Sequence, residues 1–178
     1  MFEQKYFSFI YKYFVAEKQE SLLFLIVGIV AVLLAVVCWF FIKSNPSFCK
    51  GAAIPLLAIG LIQIVVGYTV YSRTDKQKTN VAYNIGIEPS SFVKQTELPR
   101  MKKVIQNFII YRRVEIAFII TGLILIFIFK TDPDKTFWCG LGVALAMQAA
   151  IMLGADYFAE KRGKIYTRNL EVIIVNLK

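Results

Sequence analysis

The sequence predicts an all-α integral membrane protein with four transmembrane helices, arranged as two tandem parallel hairpin repeats, with interfacial amphipathic helices beside them. Three observations favour this class. Hydrophobic residues make up 57% of the chain, above the roughly 45–50% that is usual in soluble domains. They gather in four uncharged runs, and two similar loops recur at matching places between those runs.

The four uncharged runs are residues 22–42, 51–71, 116–129 and 136–155. Three of them have the length of about 20 residues that crosses a hydrocarbon core of about 30 Å. The run 116–129 is shorter. It spans only if its helix begins earlier, with Arg112 and Arg113 extending their side chains to the lipid headgroups.

The two similar loops read IKSNPSFC (residues 42–49) and FKTDPDKTFWC (residues 129–139). In each, an Asn or Asp is expected to start a tight turn, and a Pro to stop the outgoing helix. Aligning Pro46 with Pro133 also aligns Gly67 with Gly154. Each unit crosses the membrane twice, so duplicated copies have the same orientation. The alternative is a chance resemblance between apolar helices.

The distribution of charge predicts the orientation. Seventeen of the 21 Lys and Arg residues lie in the termini and the central segment, and four lie in the two short loops. Positive residues collect on the cytoplasmic side, so the prediction is a multi-pass inner (plasma) membrane protein with both termini cytoplasmic. The formal net charge of +9 needs no nucleic acid to explain it, because an anionic inner leaflet attracts basic segments.

Five segments follow from these patterns. They are an interfacial amphipathic helix (1–20), transmembrane hairpin 1 (21–72), a cytoplasmic basic segment with an amphipathic helix (73–112), transmembrane hairpin 2 (113–160) and a cytoplasmic C-terminal tail (161–178). The polar stretch 74–99 is expected to form one short helix over 88–97. It is too short to bury a core of its own.

Two segments have one apolar and one polar face. The apolar face of the first consists of Phe2, Tyr6, Phe9, Ile10 and Tyr13, and that of the second of Met101, Val104, Ile105, Phe108 and Ile109. Such helices lie in the headgroup interface. The second segment also carries the predicted cytoplasmic basic face, which consists of Arg100, Lys102, Lys103, Arg112 and Arg113. This face is either a solvated surface or a dock for an acidic partner. The C-terminal tail is expected to continue as a helix packed on this segment, with a strand as the alternative.

The residues of enzymatic chemistry are scarce. The chain has no His, and its three cysteines form no CxxC pair, which removes imidazole chemistry and the paired thiols of disulfide exchange. Glu20, Glu115 and Asp156 fall at span ends rather than at the bilayer centre, where transporters place ionisable groups. We therefore predict no catalytic residue, no cofactor and no metal site. A disulfide between Cys49 and Cys139, in the two equivalent loops, is an alternative to free thiols at these positions.

Two features within the spans predict helix packing or a partner contact. Gly142, Ala146, Ala150 and Gly154 repeat every four residues, a spacing that lets helix backbones approach closely. The second span is the expected neighbour of this ridge, because short hairpin loops favour the nearest helix, with a second copy of the chain or a foreign helix as the alternatives. Gln63 and Gln148 lie well inside spans and are expected to hydrogen-bond between helices, with substrate binding as the alternative.

The leading functional hypothesis is a non-catalytic binding or accessory protein whose partners are the lipid bilayer and a protein in or beside the membrane. In size and polytopic form the chain resembles small bacterial inner-membrane accessory proteins, which include immunity proteins against membrane-acting toxins. A small channel or transporter made by homo-oligomerisation is the alternative. A membrane enzyme of lipid or quinone chemistry ranks last, because the residues for it are missing.

Overall fold

The structure is a computed structural model that describes residues 2–176, and the side chains of residues 7–175. Every regular element in this range is helical. The elements in chain order are α1 (Phe2–Phe40), α2 (Pro46–Ile87), the short α3 (Pro89–Phe92), a π-helical turn (Val93–Glu97), α4 (Leu98–Phe129), a 3-10 turn (Pro133–Lys135) and α5 (Thr136–Asn176). The chain is therefore an all-helical protein built on four long helices, as the sequence predicts.

The two similar loops form the predicted turns. The Asn45 side chain accepts a hydrogen bond from the Phe48 amide at 3.2 Å, and the Asp132 side chain accepts one from the Asp134 amide at 3.1 Å. Neither proline stops the helix before the turn, which was its expected role. Instead, Pro46 is the first residue of α2 and Pro133 is the first residue of the 3-10 turn before α5. A proline is well suited to that position, where its missing N–H leaves no hydrogen bond unmade.

The helices pack in the order α1, α2, α5, α4, with α2 and α5 joining the two hairpins. Two glycines allow this central contact. A Cβ atom on Gly51 would overlap the carbonyl oxygen of Phe137, and a Cβ on Gly140 would overlap the carbonyl oxygen of Phe48. The two helices therefore cross backbone to backbone just after the turns that start them.

A glycine pair also marks the crossing within each hairpin. In the first, a Cβ on Gly28 would lie 2.8 Å from the Gly60 carbonyl oxygen, and a Cβ on Gly60 would lie 3.0 Å from that of Gly28. In the second, Gly122 and Gly142 have the same reciprocal relationship at 2.6 Å. Any larger residue at these four positions would push the helices apart.

Three helical stretches are long and apolar enough to cross a membrane: Phe7–Phe40, Pro46–Ile87 and Pro133–Val175. These stretches cover three of the four predicted spans, apart from residues 41 and 42 at the end of the first. Helix α4 is not among them, because its uncharged run 116–129 is short and Arg112, Arg113 and Glu115 precede it.

The ends of the long helices differ from the predicted interfacial segments. Helix α1 is continuous from Phe2 to Phe40, and Ile10 and Tyr13 are buried by protein rather than left free to contact lipid. Phe2 and Tyr6 lie outside the described side chains. Residues that cover this face come from α2 and α5, which the sequence of α1 alone cannot reveal.

Beyond the uncharged runs, the ends of the four long helices pack around a shared hydrophobic core. We call it the aqueous core, because the sequence predicts that this end of the bundle lies outside the bilayer. Its buried members are Ile10, Tyr13, Phe14, Val81, Ile85, Val93, Met101, Tyr166, Leu170 and Ile173. The polar segment after the second run therefore takes part in a core, because α2 continues to Ile87 and does not end near residue 72. The predicted short helix over 88–97 is present as α3 and the π-helical turn. The predicted C-terminal helix is confirmed as far as Asn176.

Candidate functional site

A belt of ion pairs lies where the apolar runs end and the aqueous core begins. Lys18 pairs with Asp75, Glu20 with Arg162, and Arg112 with Glu160. These pairs, which we call the charged belt, join α1 to α2, α1 to α5 and α4 to α5. The pair of Lys18 and Asp75 is exposed and contributes little, whereas Glu160 is a buried carboxylate. Together the three pairs connect all four long helices.

The first pair of the belt is exposed and shared. Asp75 also accepts a hydrogen bond from Lys78 at 3.2 Å. The hydrogen bonds from Lys18 and Lys78 hold the pKa of the Asp75 carboxyl below its usual value. The Lys18 ammonium lies 4.7 Å above the centre of the Tyr71 ring, a cation–π arrangement at the end of the second apolar run.

A buried polar network lies in the aqueous core, centred on Glu97. Glu97 is the last residue of the π-helical turn and is 1% exposed. Its carboxylate accepts hydrogen bonds from Arg100 Nε at 2.8 Å and Nη2 at 2.7 Å, and from the Tyr166 hydroxyl at 2.9 Å. The carboxylate is thus paired by a bidentate guanidinium, which a buried charge needs. The network ties the connector between α2 and α4 to α5.

Aromatic rings extend this network to α1. The Tyr13 and Tyr166 rings stack with centroids 4.1 Å apart, and the Arg162 guanidinium lies 5.6 Å from the centre of the Tyr13 ring. Burial, together with the charge of Glu97, raises the pKa of Tyr166. Burial and the charge of Glu17 raise that of Tyr13. Both phenols therefore stay protonated at neutral pH, and they act as donors and packing surfaces.

The predicted basic face divides into two groups. Arg100 is bound by Glu97, and Arg112 by Glu160. Lys102, Lys103 and Arg113 are exposed and form no ion pair with the described residues. Of the five cations of this face, these three are available to a partner or to lipid headgroups, because Arg100 and Arg112 neutralise buried carboxylates.

Gln63 and Gln148 are both buried, with exposures of 0% and 1%. Three of their amide atoms have no hydrogen-bond partner among the described residues: Nε2 and Oε1 of Gln63, and Oε1 of Gln148. The predicted interhelical hydrogen bonds are therefore not formed by these three atoms. Gln63 lies at the crossing of α1 and α2, where a Cβ on Gly28 would lie 2.9 Å from the Gln63 Cβ.

Two of the four residues in the small-residue ridge of α5 pack against another helix. Gly142 is buried and Ala146 partly buried, while Ala150 and Gly154 are exposed. A Cβ on Gly122 would lie 2.8 Å from the Ala146 Cβ, and a Cβ on Gly154 would meet nothing within 4 Å. The neighbour of Gly142 and Ala146 is thus α4, the helix before α5, and not the second span that the sequence favoured.

All three cysteines are free thiols, so the disulfide between Cys49 and Cys139 is not formed. The Cys38 side chain faces that of Cys49 instead, across the start of the first hairpin. The described residues contain no group of three or more His, Cys, Asp or Glu side chains placed to hold a metal ion.

The centre of the buried network, Glu97, was not predicted from the sequence. Glu97 and Arg100 have the i, i+3 spacing that brings helical side chains together, and this signal was available in the sequence. The part played by Tyr166 was not, because its hydroxyl meets Glu97 across 69 positions of sequence. No protein-family model, curated protein or solved structure matches the chain.

Proposed function

We propose that this chain is a non-catalytic protein of the bacterial inner membrane that acts by binding a second protein. In this proposal four helices cross the bilayer and both termini are cytoplasmic. Neutralisation of a membrane-acting toxin, as by immunity proteins, is one concrete instance of such binding.

The observation that carries the proposal is the aqueous core. The four long helices continue past their apolar runs and pack into a bundle with its own buried residues. Helices that only cross a bilayer need no such extension. A folded bundle on one side of the membrane offers a rigid, water-accessible surface, which is what a protein partner requires.

Packing supports the count of four spans. Helix α4 packs along α5 and meets it at the pair Gly122 and Gly142. Its uncharged run covers about 21 Å at 1.5 Å per residue, about 9 Å less than the hydrocarbon core. An exposed Arg113 that extends to the headgroups closes this gap. The two Asx–Pro turns support a duplicated hairpin.

The test is reconstitution of the purified protein into liposomes, paired with purification from native membranes. A binding protein gives no solute flux alone and co-purifies with one protein at a fixed stoichiometry. Flux from the pure protein would contradict the proposal. A toxin gene beside the coding gene would favour the immunity instance.

A small oligomeric channel or transporter is the second candidate, and one observation favours it. The Gln63 and Gln148 side chains carry buried amide atoms that have no hydrogen-bond partner among residues 7–175, and such groups are costly in a dry interior. If copies of the chain assemble around a water-filled path, these amides would be hydrated. Flux that Gln63→Leu or Gln148→Leu abolishes would favour this candidate over the first.

A further inference from the structure

A shallow apolar groove runs between α1 and α2 at the end of the bundle far from the apolar runs. It has a volume of about 550 Å³. The groove is lined by Phe7, Ile10, Tyr11, Lys78, Thr79, Ala82, Tyr83, Gly86 and Ile87. Tyr11, Tyr83 and Ile87 are 60%, 67% and 59% exposed. Large apolar side chains exposed together in water mark a binding surface more often than an ordinary protein surface.

The position of the groove excludes lipid tails as its occupant. The second apolar run ends at Tyr71, and Tyr83 lies about 18 Å further along α2 at 1.5 Å per residue. The charged belt, with Asp75 and Lys18, lies between the run and the groove. The groove is therefore in the aqueous phase, and no side chain of residues 7–175 covers its exposed residues Tyr11, Tyr83 and Ile87.

The charge beside the groove indicates what kind of molecule could bind in it. Lys18, Lys76 and Lys78 lie at its membrane-proximal end, against one carboxylate, Asp75. Lys76 is exposed and lies two helical turns before Tyr83, on the same face of α2. This end of the groove therefore carries an excess of positive charge, which complements acidic groups.

We propose that this groove binds an amphipathic helix of a partner protein, with apolar anchors between α1 and α2 and acidic residues beside the three lysines. The segment from Lys78 to Ile87 is about 13 Å long, which matches two to three turns of a helix laid into a groove. The proposal rests on the proposed binding function and specifies the surface and the partner chemistry.

Gly86 leaves space for the anchors. A Cβ atom at this position would lie 3.8 Å from the Phe7 ring and near no other group. Gly86 is thus not required by packing, in contrast to the glycines at the helix crossings. Its replacement by a large residue fills the groove and leaves the fold unchanged, which provides a specific variant for a test.

The experiment uses the full chain in nanodiscs of zwitterionic lipid and two synthetic helical peptides of about 14 residues as probes. The peptides share Leu and Phe at positions i, i+3, i+4 and i+7, and they carry Glu or Lys at the same polar positions. Binding is measured by fluorescence anisotropy. We expect the acidic peptide to bind at least about tenfold more tightly than the basic one, and Gly86→Trp to weaken it by a similar factor.

The matched control is Ile165→Trp, which adds the same ring at an exposed position of α5 outside the groove. It should bind the acidic peptide as the parent does. Equal affinity for both peptides, undiminished binding to Gly86→Trp, or equal binding to empty nanodiscs would overturn the proposal. So would a cysteine crosslink at Tyr83 between two copies of the chain that the acidic peptide does not block.

The outcomes also separate this proposal from the proposed function. If the protein co-purifies with a partner and photo-crosslinkers at Tyr83 do not reach it, the groove assignment is wrong and the binding function stands. If the pure protein passes solutes and has no partner, both are wrong.

Discussion

Gly122 of α4 and Gly142 of α5 meet so closely that a Cβ atom on either would lie 2.6 Å from the carbonyl oxygen of the other. No side chain fits between the two backbones at this point. The close packing of the second hairpin therefore depends on two residues without a side chain. In the first hairpin, Gly28 and Gly60 form a similar reciprocal contact.

Replacement of Gly142 by Ala should destabilise the protein, because the added methyl group must displace the Gly122 backbone. Overpacking of this kind costs on the order of 1–3 kcal/mol. Thermal unfolding in detergent measures the loss. The matched control is Gly154→Ala on the same helix, which has open space beside it and should be as stable as the parent. Equal losses in the two variants would contradict this account.

The same contrast applies to the larger substitutions on the ridge. Ala146→Leu should destabilise the second hairpin, because Ala146 lies against Gly122. Ala150→Leu should be neutral in the isolated protein, because Ala150 is exposed. If Ala150→Leu is neutral in isolation but lowers recovery of a partner, the exposed half of the ridge contacts that partner.

Tyr166→Phe should destabilise the aqueous core. The hydroxyl of Tyr166 donates to the buried carboxylate of Glu97 at 2.9 Å, and a hydrogen bond to a charged group contributes about 1.5–3 kcal/mol. The ring still stacks on Tyr13, so the change isolates the hydrogen bond. Tyr83→Phe, at an exposed hydroxyl, is the control and should not alter the melting temperature. If Tyr166→Phe leaves the melting temperature unchanged, the hydrogen bonds from Arg100 alone are sufficient for the Glu97 carboxylate.

Glu17→Gln should stabilise the protein at neutral pH. Burial raises the pKa of the Glu17 carboxyl above its ordinary value, despite the cations Arg100, Arg73 and Arg162. A carboxyl whose folded-state pKa is raised favours folding below its unfolded pKa and loses that contribution as pH rises through the raised value.

The advantage of Glu17→Gln should therefore be small near pH 4 and grow towards pH 7. Melting curves of parent and variant across this range measure it. Glu171→Gln, at an exposed carboxylate, should show no such trend. A variant less stable than the parent at pH 7 would mean that the charge of Glu17 is needed by the surrounding arginines.

The sequence predicted the long helices and their turns because these depend on local patterns. An uncharged run of about 20 residues lies within a single helix, and an Asn or Asp directly before a Pro determines a turn of a few residues. Helices α2 and α5 begin at the turns predicted in this way. The C-terminal helix was predicted from the architecture, as a continuation of the fourth span, because its β-branched residues alone were also compatible with a strand.

The aqueous core could not be predicted in this way, because its contacts join residues far apart in the sequence. The apolar face with Ile10 and Tyr13 has the same pattern whether lipid or protein covers it. Contacts from other helices, such as the stacking of Tyr166 on Tyr13, decide between the two. Likewise, the spacing of the ridge indicates close packing, but Gly122 identifies α4 as the neighbour.

The orientation of the chain is tested by cysteine labelling in a variant that lacks Cys38, Cys49 and Cys139. Single cysteines at Ser47 and Asp134, in the two short turns, should react with an impermeant reagent from outside the cell. Those at Lys76 and Lys161, on the predicted cytoplasmic side, should react only after the membrane is opened. This follows from the collection of Lys and Arg on one side. External labelling of all four positions would exclude the predicted topology.

Gln63→Leu should stabilise the isolated protein. Both amide atoms of Gln63 are buried and have no hydrogen-bond partner in the part of the chain that the structure describes, and an unsatisfied buried polar group costs about 1–3 kcal/mol. Leu has a similar volume and keeps the contact beside Gly28. The increase should appear as a higher melting temperature in detergent, and Gln95→Leu, at an exposed position of the π-helical turn, should not reproduce it. Destabilisation by Gln63→Leu would mean that the amide is hydrated or paired in the membrane. That result, together with solute flux that the variant abolishes, would favour the channel over the binding protein, because a hydrated amide inside the bundle implies a path for water.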